Sequence, residues 1–464
     1  MRDHRDYRRI ADRIAADIVG GRLSPGQRLP PQRAFARRHG LAPSTAGRVY
    51  GELVRRGLVV GEVGRGTFVR ATPAGAAAGR ALTEAGTTIP DAPDAPDARN
   101  IPATAPVVNL ELNYPSAPGQ SELLAPALAP LLRPDVLAEA LRPAAVTGTG
   151  AARSAVADLL ATGGRRPDPA GILFTGNARQ AIAATLASLV RPGGRVGVEP
   201  LTYPLVKEIA GRLALTLVPL ATDEHGVLPE SLAGARLGAL YLQPTLHNPT
   251  SLTMGARRRR ELADAVTDLG LPVVEDRIWS FLHTGPEPPL AALAPGLTHV
   301  VDGLSKRVAP GLTVGFAVVP PERAGAVAAA VRSGGSSPGS FALEAAVRWI
   351  GDGTVARLVA AKRRDAGRRQ RLVARELAGF AVRSDPAAYF AWWELPAPWR
   401  ADTFTAAARA HGVAVTPGSA FCVDPSRTPN AVRLGLASAP EPELARALRT
   451  LAGLARSRPG AGTG

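Results

Sequence analysis

Three lysines carry the only side-chain primary amines of this 464-residue chain: Lys207, Lys306 and Lys362. Lys207 and Lys362 stand in helical segments beside other charges, and we expect both to be solvated. Lys306, in the segment DGLSKRVAPG, follows the β-like run 299–301, so its side chain would project from a strand end. An amine held in this way can condense with an aldehyde. Lys306 is therefore the candidate for covalent chemistry.

A carboxylate, an aromatic ring, an amide and a glycine turn stand earlier in the chain. Asp276 follows the β-like run 272–275, while Tyr203 and Asn248 stand in the segments VEPLTYP and LHNPT. The segment LFTGNARQAI is typical of a strand, a turn and a helix start, whose free N–H groups can bind an anion. Pyridoxal phosphate needs such a set: a lysine, a carboxylate at the ring nitrogen, a stacking ring and phosphate donors. Each feature is weak alone, and their order favours this cofactor.

These residues lie in a region of alternating patterns that runs from residue 108 to the end. Helical segments rich in Ala, Leu and Arg alternate with β-like apolar runs at 172–175, 195–198, 237–242, 272–275, 299–301 and 315–319. The alternation predicts a large α/β domain with a mostly parallel sheet. The final segment, roughly 375–455, predicts a smaller α+β lobe.

The N-terminal region has a different character. Residues 1–70 carry a net charge of +9 out of +16 for the chain, contributed by 15 arginines, which indicates a polyanion-binding module. Apolar residues recur at helical spacing over 7–18, 31–39 and from Pro43 to Val54, and two β-prone runs follow. This layout predicts a winged helix-turn-helix, whose third helix enters the major groove. The polar face of that helix would offer Ser44, Thr45, Gly47, Arg48, Glu52 and Arg55.

The segment LSPGQRLPPQRAFARRHGLAPSTAGRVYGELVRRGLVVGEVGRGTFV resembles the GntR family of regulators. The resemblance implies binding to double-stranded DNA, through Arg33, the start of the third helix and the wing. The implied contact residues are Arg33, Ser44, Thr45, Arg48, Gly64, Arg65 and Gly66. Pro43 stands where the family often has Arg, so one base contact is lost.

Over most of residues 108–455 the order of motifs resembles that of fold-type-I aminotransferases, and the whole chain is similar to the MocR-type branch of the GntR family. The resemblance implies Lys306 as the Schiff-base lysine, Asp276 at the pyridine nitrogen, Tyr203 as the stacking ring and Asn248 at the phenolic oxygen. It further implies that the phosphate is held by Gly176, Asn177 and Ala178. Arg433, in NAVRLGLA, matches the arginine that grips an effector's carboxylate.

The family resemblance also implies a domain organisation and a homodimer paired head to tail. We expect a winged helix-turn-helix DNA-binding domain at 1–70 and an aminotransferase-like effector-binding and dimerisation domain at 108–464. Residues 71–107, rich in Ala and Pro and containing DAPDAPDA, predict a flexible linker between them.

Four positions of the large domain depart from the family pattern, and one of them is Ser251, which gives NPTS in place of the usual NPTG. Gly303 replaces a Ser or Thr and Thr313 replaces an Arg, so two phosphate donors are lost, and Arg307 beside the lysine is the candidate replacement. Trp279 stands where a tyrosine assists the phenolic oxygen. Loss of an Arg–phosphate pair costs about 1.5–3 kcal/mol, a factor of about ten to a hundred in affinity. We expect pyridoxal phosphate to bind, either with weakened affinity or through a phosphate clamp particular to a subgroup of the family.

Composition excludes other classes. No apolar stretch reaches the roughly 20 residues of a membrane helix, the first thirty residues carry too much charge for a secretory signal, and Cys422 alone forms no internal disulfide. We expect a cytoplasmic protein without a metal site. Three functions stay open: a regulator that senses pyridoxal phosphate or an amine or amino acid condensed with it, a regulator whose degenerate pocket has lost the cofactor, and an active aminotransferase.

Overall fold

The computed structural model describes residues 3–19, 22–23, 26–62, 66–70, 108–162, 165–311 and 313–457. The chain divides into two compact units, each made of more than one segment. The first unit comprises Met1–Leu112, Leu372–Arg383 and Trp392–Gly464, and the second comprises Asn113–Arg371 and Ser384–Ala391. Within the described ranges, no helix is both long and apolar enough to cross a membrane. The predicted linker, 71–107, lies outside the described residues.

A winged helix forms the N-terminal part of the first unit. Three helices precede a two-stranded antiparallel wing; they are α1 (Asp3–Val19), α2 (Gln32–Arg38), α3 (Pro43–Arg55), β1 (Val59–Glu62) and β2 (Gly66–Val69). Pro43 suits the first turn of α3, where an N–H group would have no partner inside the helix. The apolar faces of the helices form one core with Ala11, Phe35, Val49 and Leu53. The predicted winged helix-turn-helix is confirmed.

The described chain resumes at β3 (Val108–Asn109) and then enters the second unit, which is built on a seven-stranded sheet. Its strands are β4 (Ile172–Thr175), β5 (Arg195–Val198), β6 (Thr216–Pro219), β9 (Ala239–Leu242), β10 (Val273–Asp276), β11 (Thr298–Gly303) and β12 (Gly315–Val318); β7 (Thr222–Asp223) and β8 (Gly226–Val227) form a separate hairpin. The order in the sheet is β4-β12-β11-β10-β9-β5-β6. Of these strands, only β12 is antiparallel to its neighbours, so the predicted, mostly parallel sheet is confirmed.

Helices cover both faces of this sheet. They are α4 (Gln120–Leu128), α5 (Pro134–Ala140), α6 (Gly150–Leu160), α7 (Ala178–Leu189), α8 (Pro204–Arg212), α9 (Ala256–Asp268), α10 (Leu290–Leu293), α11 (Ala324–Ser333), α12 (Ser340–Gly351) and α13 (Thr354–Glu376). Leu173 and Ala317 pack with α7 and α11, whereas Phe174 and Phe316 pack with α6 and α12. The alternation follows from the two-residue period of a strand.

A small α+β lobe completes the first unit. Its elements are β13 (Ala381–Ser384), β14 (Phe390–Glu394), α14 (Ala401–Ala410), β15 (Val413–Ala414), β16 (Thr416–Pro417), β17 (Ala431–Gly435) and α15 (Glu441–Arg456). Four strands form a sheet in the order β13-β14-β17-β16, and β15 pairs in parallel with β3. The lobe predicted over 375–455 is confirmed.

The carboxyl ends of β10 and β11 are neighbours in the large sheet. Asp276 is the last residue of β10 and pairs in parallel register with Val301, two residues before the end of β11. Loops that leave parallel strands at this edge are where open α/β sheets bind ligands. The fold therefore brings the loop that carries Lys306 to the edge where Asp276 ends its strand.

Candidate functional site

Lys306 lies in the short loop after β11. The loop closes one helical turn, in which the N–H group of Val308 donates to the carbonyl oxygen of Leu304 at 2.6 Å. The Lys306 Nζ donates to the main-chain oxygen of Asn113 at 3.1 Å and lies 4.1 Å from the ring centre of Tyr114. The Trp279 ring centre is 5.4 Å from the same nitrogen. The amine thus lies against the rings of Tyr114 and Trp279, an arrangement that the sequence patterns did not predict.

Asp276 ends β10 as a buried carboxylate with three donors. Its Oδ2 accepts from the hydroxyl of Tyr241 at 2.5 Å and from the amide of Gln243 at 2.9 Å. Its Oδ1 accepts from the N–H group of Ile278 at 2.9 Å. Burial raises the pKa of Asp276 to about 6, and the three donors oppose that shift by favouring the ionised form. The carboxylate retains acceptor capacity for one more donor.

Gln243 joins Asp276 to Asn248. The Gln243 Oε1 accepts from the main-chain N–H of Asn248 at 3.2 Å, while its amide nitrogen donates to Asp276. Among the described residues, the buried Oδ1 of Asn248 has no hydrogen-bond partner. Glu199 accepts from the Gln243 main-chain N–H at 2.9 Å, and burial raises its pKa to about 7. These contacts bring the predicted pair Asp276 and Asn248 into one network.

Tyr203 stands directly before α8, and its side chain is half-buried. Burial raises the pKa of Tyr241 well above its usual value, and the negative potentials of Asp276, Glu199 and Tyr203 add to that effect. Tyr203 therefore shares the surroundings of the carboxylate network. Its role as a stacking ring stays a prediction.

The predicted phosphate turn lies between β4 and α7. Asn177 caps α7, because its Oδ1 accepts from the N–H group of Gln180 at 3.1 Å. The N–H of Gly176 donates to the carbonyl oxygen of Ser336 at 3.1 Å, so this donor is already used. Ala178 is the first residue of the helix, where N–H groups have no intrahelical acceptor. An anion would therefore meet the Asn177–Ala178 end of the turn.

Gly303 is enforced by close packing between β11 and β12. A Cβ atom there would lie 2.9 Å from the carbonyl oxygen of Val314 and 3.5 Å from the Cβ of Ala178. The family's Ser or Thr does not fit this backbone without a shift. Thr313 is half-buried, and in the described part of the chain its hydroxyl oxygen is buried with no hydrogen-bond partner.

Arg307 is held by Asp302, its near neighbour in the chain. Asp302 and Gly303 are consecutive residues of β11, so they face opposite sides of the sheet. Asp302 lies on the same side as Phe316, its register partner on β12. The Arg307 guanidinium forms a buried ion pair with the Asp302 carboxylate on that face and donates to the Gly303 carbonyl oxygen at 3.1 Å. The guanidinium is thus engaged by the Asp302 carboxylate, and the role of Arg307 as a replacement phosphate donor stays a prediction.

The residues at this edge of the sheet fit pyridoxal phosphate. An amine, a buried carboxylate with spare acceptor capacity and a capped helix start are present together. Two buried polar atoms of the described chain, Asn248 Oδ1 and Thr313 Oγ1, have no protein partner, and a bound ligand would satisfy them. The phosphate end departs from the family pattern, because Thr313 stands where the family has an arginine.

Arg433 lies on β17 in the first unit, and its side chain is buried. Its Nη2 donates to the carbonyl oxygen of Glu111 at 2.8 Å and to the hydroxyl of Thr416 at 3.2 Å. The guanidinium carbon lies 5.5 Å from the ring centre of Phe421. These contacts fix the guanidinium on β17.

The DNA-binding predictions divide by exposure. Arg33, Ser44 and Arg48 are exposed, and Gly66 is half-buried with a left-handed φ of 118°. Thr45 was expected on the exposed face of α3, and this expectation is wrong: the residue is 5% exposed because it shares a helix face with Val49. Glu52 is also buried, and it accepts from both Arg55 and Arg56. Gly64 and Arg65 lie outside the described residues.

The wing packs against the small lobe inside the first unit. Arg70 Nε lies 3.3 Å from the Asp402 carboxylate, and the Arg400 guanidinium carbon lies 3.5 Å from the ring centre of Phe68. Both acid and base are desolvated there: burial raises the pKa of Asp402 and lowers that of Arg400 to about 10. A Cβ on Gly61 would lie 3.3 Å from the carbonyl oxygen of Ser426, so the surfaces are in close contact.

Several site residues were not predicted from the sequence. Asn113, Tyr114, Tyr241, Gln243, Glu199 and Asp302 all contact or influence predicted site residues. Lys362, expected to be solvated, is fully buried on α13, so that expectation is wrong. Gln243 and Glu199 had a usable signal, since they directly follow the parallel strands β9 and β5 at the same edge of the sheet as Asp276.

Comparison with protein families gives two matches that account for most of the chain. Residues 6–69 match the family described as bacterial regulatory proteins, gntR family. Residues 137–451 match aminotransferase class I and II. The chain is 30% identical to the uncharacterized HTH-type transcriptional regulator YdeF of Bacillus subtilis, over 93% of this chain and 90% of that protein.

Two further similarities concern shorter regions. The chain is 28% identical to the HTH-type pyridoxine biosynthesis transcriptional regulator PdxR of Corynebacterium glutamicum, over 39% of this chain and 40% of that protein. The fold is similar to that of the α-aminoadipate aminotransferase LysN of Thermus thermophilus, with a TM-score of 0.67 and 24% identity over 75% of this chain and 92% of that one.

Proposed function

Because this chain belongs to the GntR regulators of the MocR type, with a gntR winged helix joined to an aminotransferase class I and II domain, we propose that its large domain senses pyridoxal phosphate or an amine or amino acid condensed with it. The chain is a transcription regulator with an aminotransferase-like domain. One observation carries the proposal: Lys306 and the buried carboxylate Asp276 lie at adjacent strand ends of one sheet. PdxR, whose name refers to pyridoxine biosynthesis, and the LysN structure, which contains N-(5'-phosphopyridoxyl)-L-leucine, support the same ligand class.

The cofactor would be held by residues of the second unit. Lys306 supplies the amine, Asp276 accepts from the protonated ring nitrogen, Asn248 lies within the network that would meet the phenolic oxygen, and Tyr203 would stack on the ring. The Asn177–Ala178 turn and the Thr313 hydroxyl would bind the phosphate. When bound, pyridoxal phosphate supplies an aldehyde carbon that condenses reversibly with amines. The Asp276 network keeps a negative charge beside the ring nitrogen at neutral pH, since its pKa is about 6.

We infer that phosphate binding is weakened in this chain. Thr313 contributes a neutral hydroxyl where the family has a guanidinium, and Arg307 is committed to Asp302. The missing charged pair corresponds to roughly ten- to hundredfold in affinity. Weak binding suits a sensor, because occupancy then changes with the concentration of the ligand instead of staying saturated.

Arg433 would bind the carboxylate of an amino-acid effector, and the small lobe would carry the response to the wing. Asn430, three residues before Arg433, accepts from the first N–H group of α14, at Ala401, at 2.8 Å. Arg400 and Asp402 flank that residue and contact Phe68 and Arg70 of the winged helix. A ligand-dependent shift of β17 would therefore reach the wing through the start of α14. The lobe would act as the two-state element that the ligand biases.

The winged helix would bind duplex DNA through Arg33, Ser44 and Arg48, which are exposed, and through the wing at Gly64, Arg65 and Gly66. We infer a head-to-tail homodimer from the family resemblance. Two exposed leucines of the second unit, Leu132 and Leu141, supply apolar surface for association. A regulator of this kind would act in the cytoplasm, where bacterial DNA lies.

A cofactor-free regulator is the second candidate, favoured by Thr313 and by the buried Arg307–Asp302 pair. Absorbance spectroscopy separates the two. Wild-type protein mixed with pyridoxal phosphate should develop the visible band of the lysine-bound cofactor, and Lys306→Ala should not. A wild type without a band would leave the cofactor-free regulator. Sustained multiple turnover with amino donors and keto acids would instead identify an aminotransferase.

A further inference from the structure

Lys362 on α13 directs its ammonium at the loop that carries Lys306. Its Nζ donates to three consecutive main-chain oxygens, those of Lys306 at 3.1 Å, Arg307 at 2.9 Å and Val308 at 2.8 Å. The Lys362 side chain is fully buried. In the described part of the chain it forms no ion pair with a carboxylate. A buried lysine whose charge is held by carbonyl groups alone needs a structural reason.

The geometry of the contact matches an ammonium group, although burial and the charge of Lys306 lower the pKa of Lys362 to about 7. The loop closes a helical turn from Leu304 to Val308, and the last carbonyl groups of such a turn lack partners within it. These oxygens carry partial negative charge, which favours a cation at that end. An ammonium has three N–H donors, and three carbonyl oxygens accept from it here; a neutral amine has only two donors. Lys362 therefore donates a hydrogen bond to each of the three carbonyl oxygens at the end of the turn, those of Lys306, Arg307 and Val308.

Lys362 is itself fixed on its helix. The hydroxyl oxygen of Tyr389, which has one proton to donate, lies 2.8 Å from the Lys362 carbonyl oxygen and 2.9 Å from the Asp365 carboxylate. Asp365 in turn pairs with Arg369 at 2.7 Å. These contacts hold the segment of α13 that carries Lys362. The Lys362 ammonium in turn holds the Leu304–Val308 turn through its hydrogen bonds to the carbonyl oxygens.

We propose that Lys362 is a positioning residue, which fixes the main chain of Lys306 so that the Lys306 amine stays against Asn113 and Tyr114. It acts through the carbonyl groups and does not touch the reacting amine. Where it concerns cofactor binding, the inference rests on the function proposed above. Its structural part does not, because the contact exists between residues of the chain alone.

The composition of the chain offers a direct test without cofactor. Only three lysines are present, so amine-reactive labelling followed by peptide mass spectrometry reports each lysine separately. The full chain is compared as wild type, Lys362→Met, Lys362→Gln and Lys207→Met. Met removes every donor, Gln keeps two N–H donors without charge, and Lys207→Met is the matched control on another helix.

We expect the labelling rate of Lys306 to rise about tenfold in Lys362→Met, because one hydrogen bond to a charged group is worth at least that factor. Lys362→Gln should fall between Lys362→Met and wild type, and Lys207→Met should leave the Lys306 rate unchanged. With pyridoxal phosphate added, the visible band should form with an affinity about tenfold lower in Lys362→Met and partly restored in Lys362→Gln.

An unchanged Lys306 labelling rate in folded Lys362→Met overturns the proposal. A rise matched at Lys207 overturns it too, because the effect is then global unfolding. If Lys362→Met does not fold, the comparison of Lys362→Gln with wild type decides, and equal Lys306 rates there refute the role. A wild type that shows no visible band refutes the proposed cofactor, while labelling of the cofactor-free protein still decides the role of Lys362.

Discussion

The side-chain ammonium of Lys362 lies 3.1 Å from the main-chain carbonyl oxygen of Lys306. Two of the chain's three lysines therefore belong to one arrangement, in which the first holds the backbone of the second. The amine of Lys306 contacts Asn113 and Tyr114, and Asp276 ends the adjacent strand. A lysine whose main chain is fixed, close to a buried carboxylate, is a suitable arrangement for binding an aldehyde cofactor.

Asp276 predicts a pH dependence of cofactor binding. Its carboxylate must be ionised to accept from the protonated ring nitrogen, and burial raises its pKa to about 6. The raised pKa means that the ionised form is populated above pH 6 and lost below it. Affinity for pyridoxal phosphate should therefore fall about tenfold from pH 7 to pH 5, since each pH unit below the pKa lowers the ionised fraction about tenfold.

The measurement is absorbance titration with pyridoxal phosphate at several pH values. Asp276→Asn is the control, because it keeps the shape of the side chain and cannot ionise. The variant should bind weakly at every pH and lack this component of the pH dependence, which removes the cofactor's own ionisation from the comparison. Identical pH profiles for the two proteins would show that Asp276 does not pair with the cofactor.

Position 313 predicts a gain of affinity. Thr313→Arg restores the charged phosphate donor of the family and should tighten binding of pyridoxal phosphate about ten- to hundredfold. Thr313→Met introduces a side chain of about the length of arginine without its charge, and it should not tighten binding. Gly303→Ser, the other family residue, should lower the melting temperature instead, because its Cβ would lie 2.9 Å from the Val314 carbonyl oxygen. Equal affinities of the Arg and Met variants would place the phosphate elsewhere.

Arg48 predicts a loss of DNA affinity that its neighbour does not share. Arg48 is exposed on α3, whereas Arg55 on the same helix is held by two hydrogen bonds to Glu52, at 2.8 and 2.6 Å. Arg48→Ala should weaken duplex binding by about 1–3 kcal/mol, while Arg55→Ala should have a much smaller effect. Fluorescence anisotropy with labelled duplex, at fixed salt, measures both. Equal losses would mean that only the net charge of the helix matters.

The wing contact predicts that Asp402 couples the small lobe to the winged helix. Asp402→Ala leaves Arg70 and Arg400 in a buried contact without their carboxylate, which costs about 3–5 kcal/mol. Calorimetry should show the winged helix melting as a separate transition at lower temperature. DNA affinity of the variant should also cease to respond to pyridoxal phosphate.

Glu394→Ala is the matched control for Asp402→Ala. Glu394 pairs with Arg383 in the same unit, but both side chains are exposed, and such pairs contribute about 0–1 kcal/mol. A response to the ligand that persists in Asp402→Ala would exclude the route through α14.

The sequence predicted the parts of the site that depend on local pattern. Asp276 was found because a β-like run ended directly before it and Lys306 because one ended five residues before it, and parallel strands place such residues at one edge. The winged helix was predicted because helical spacing and turn glycines extend over its whole length. Thr45 was misplaced on α3, although its spacing of four residues from Val49 puts both on one helix face.

The sequence could not predict contacts that depend on tertiary packing. Lys362 stands among arginines in a helix of mixed charge, a pattern typical of a solvated face. Its burial follows from where α13 meets the Lys306 loop, which no local pattern records. The contact of Tyr114 with Lys306 also depends on tertiary packing. So does the Arg307–Asp302 pair, because the side of the sheet on which Asp302 lies follows only from the register of β11 and β12.

The most direct test of the central claim joins cofactor and DNA in one measurement. Fluorescence anisotropy with a duplex from the region upstream of the protein's own gene gives the Kd of wild type and Lys306→Ala, each with and without pyridoxal phosphate. We predict that the ligand changes the wild-type Kd at least about fivefold, the lower range of typical allosteric coupling, and leaves the Kd of Lys306→Ala unchanged. An equal change in both proteins, or duplex binding by neither, would contradict this prediction.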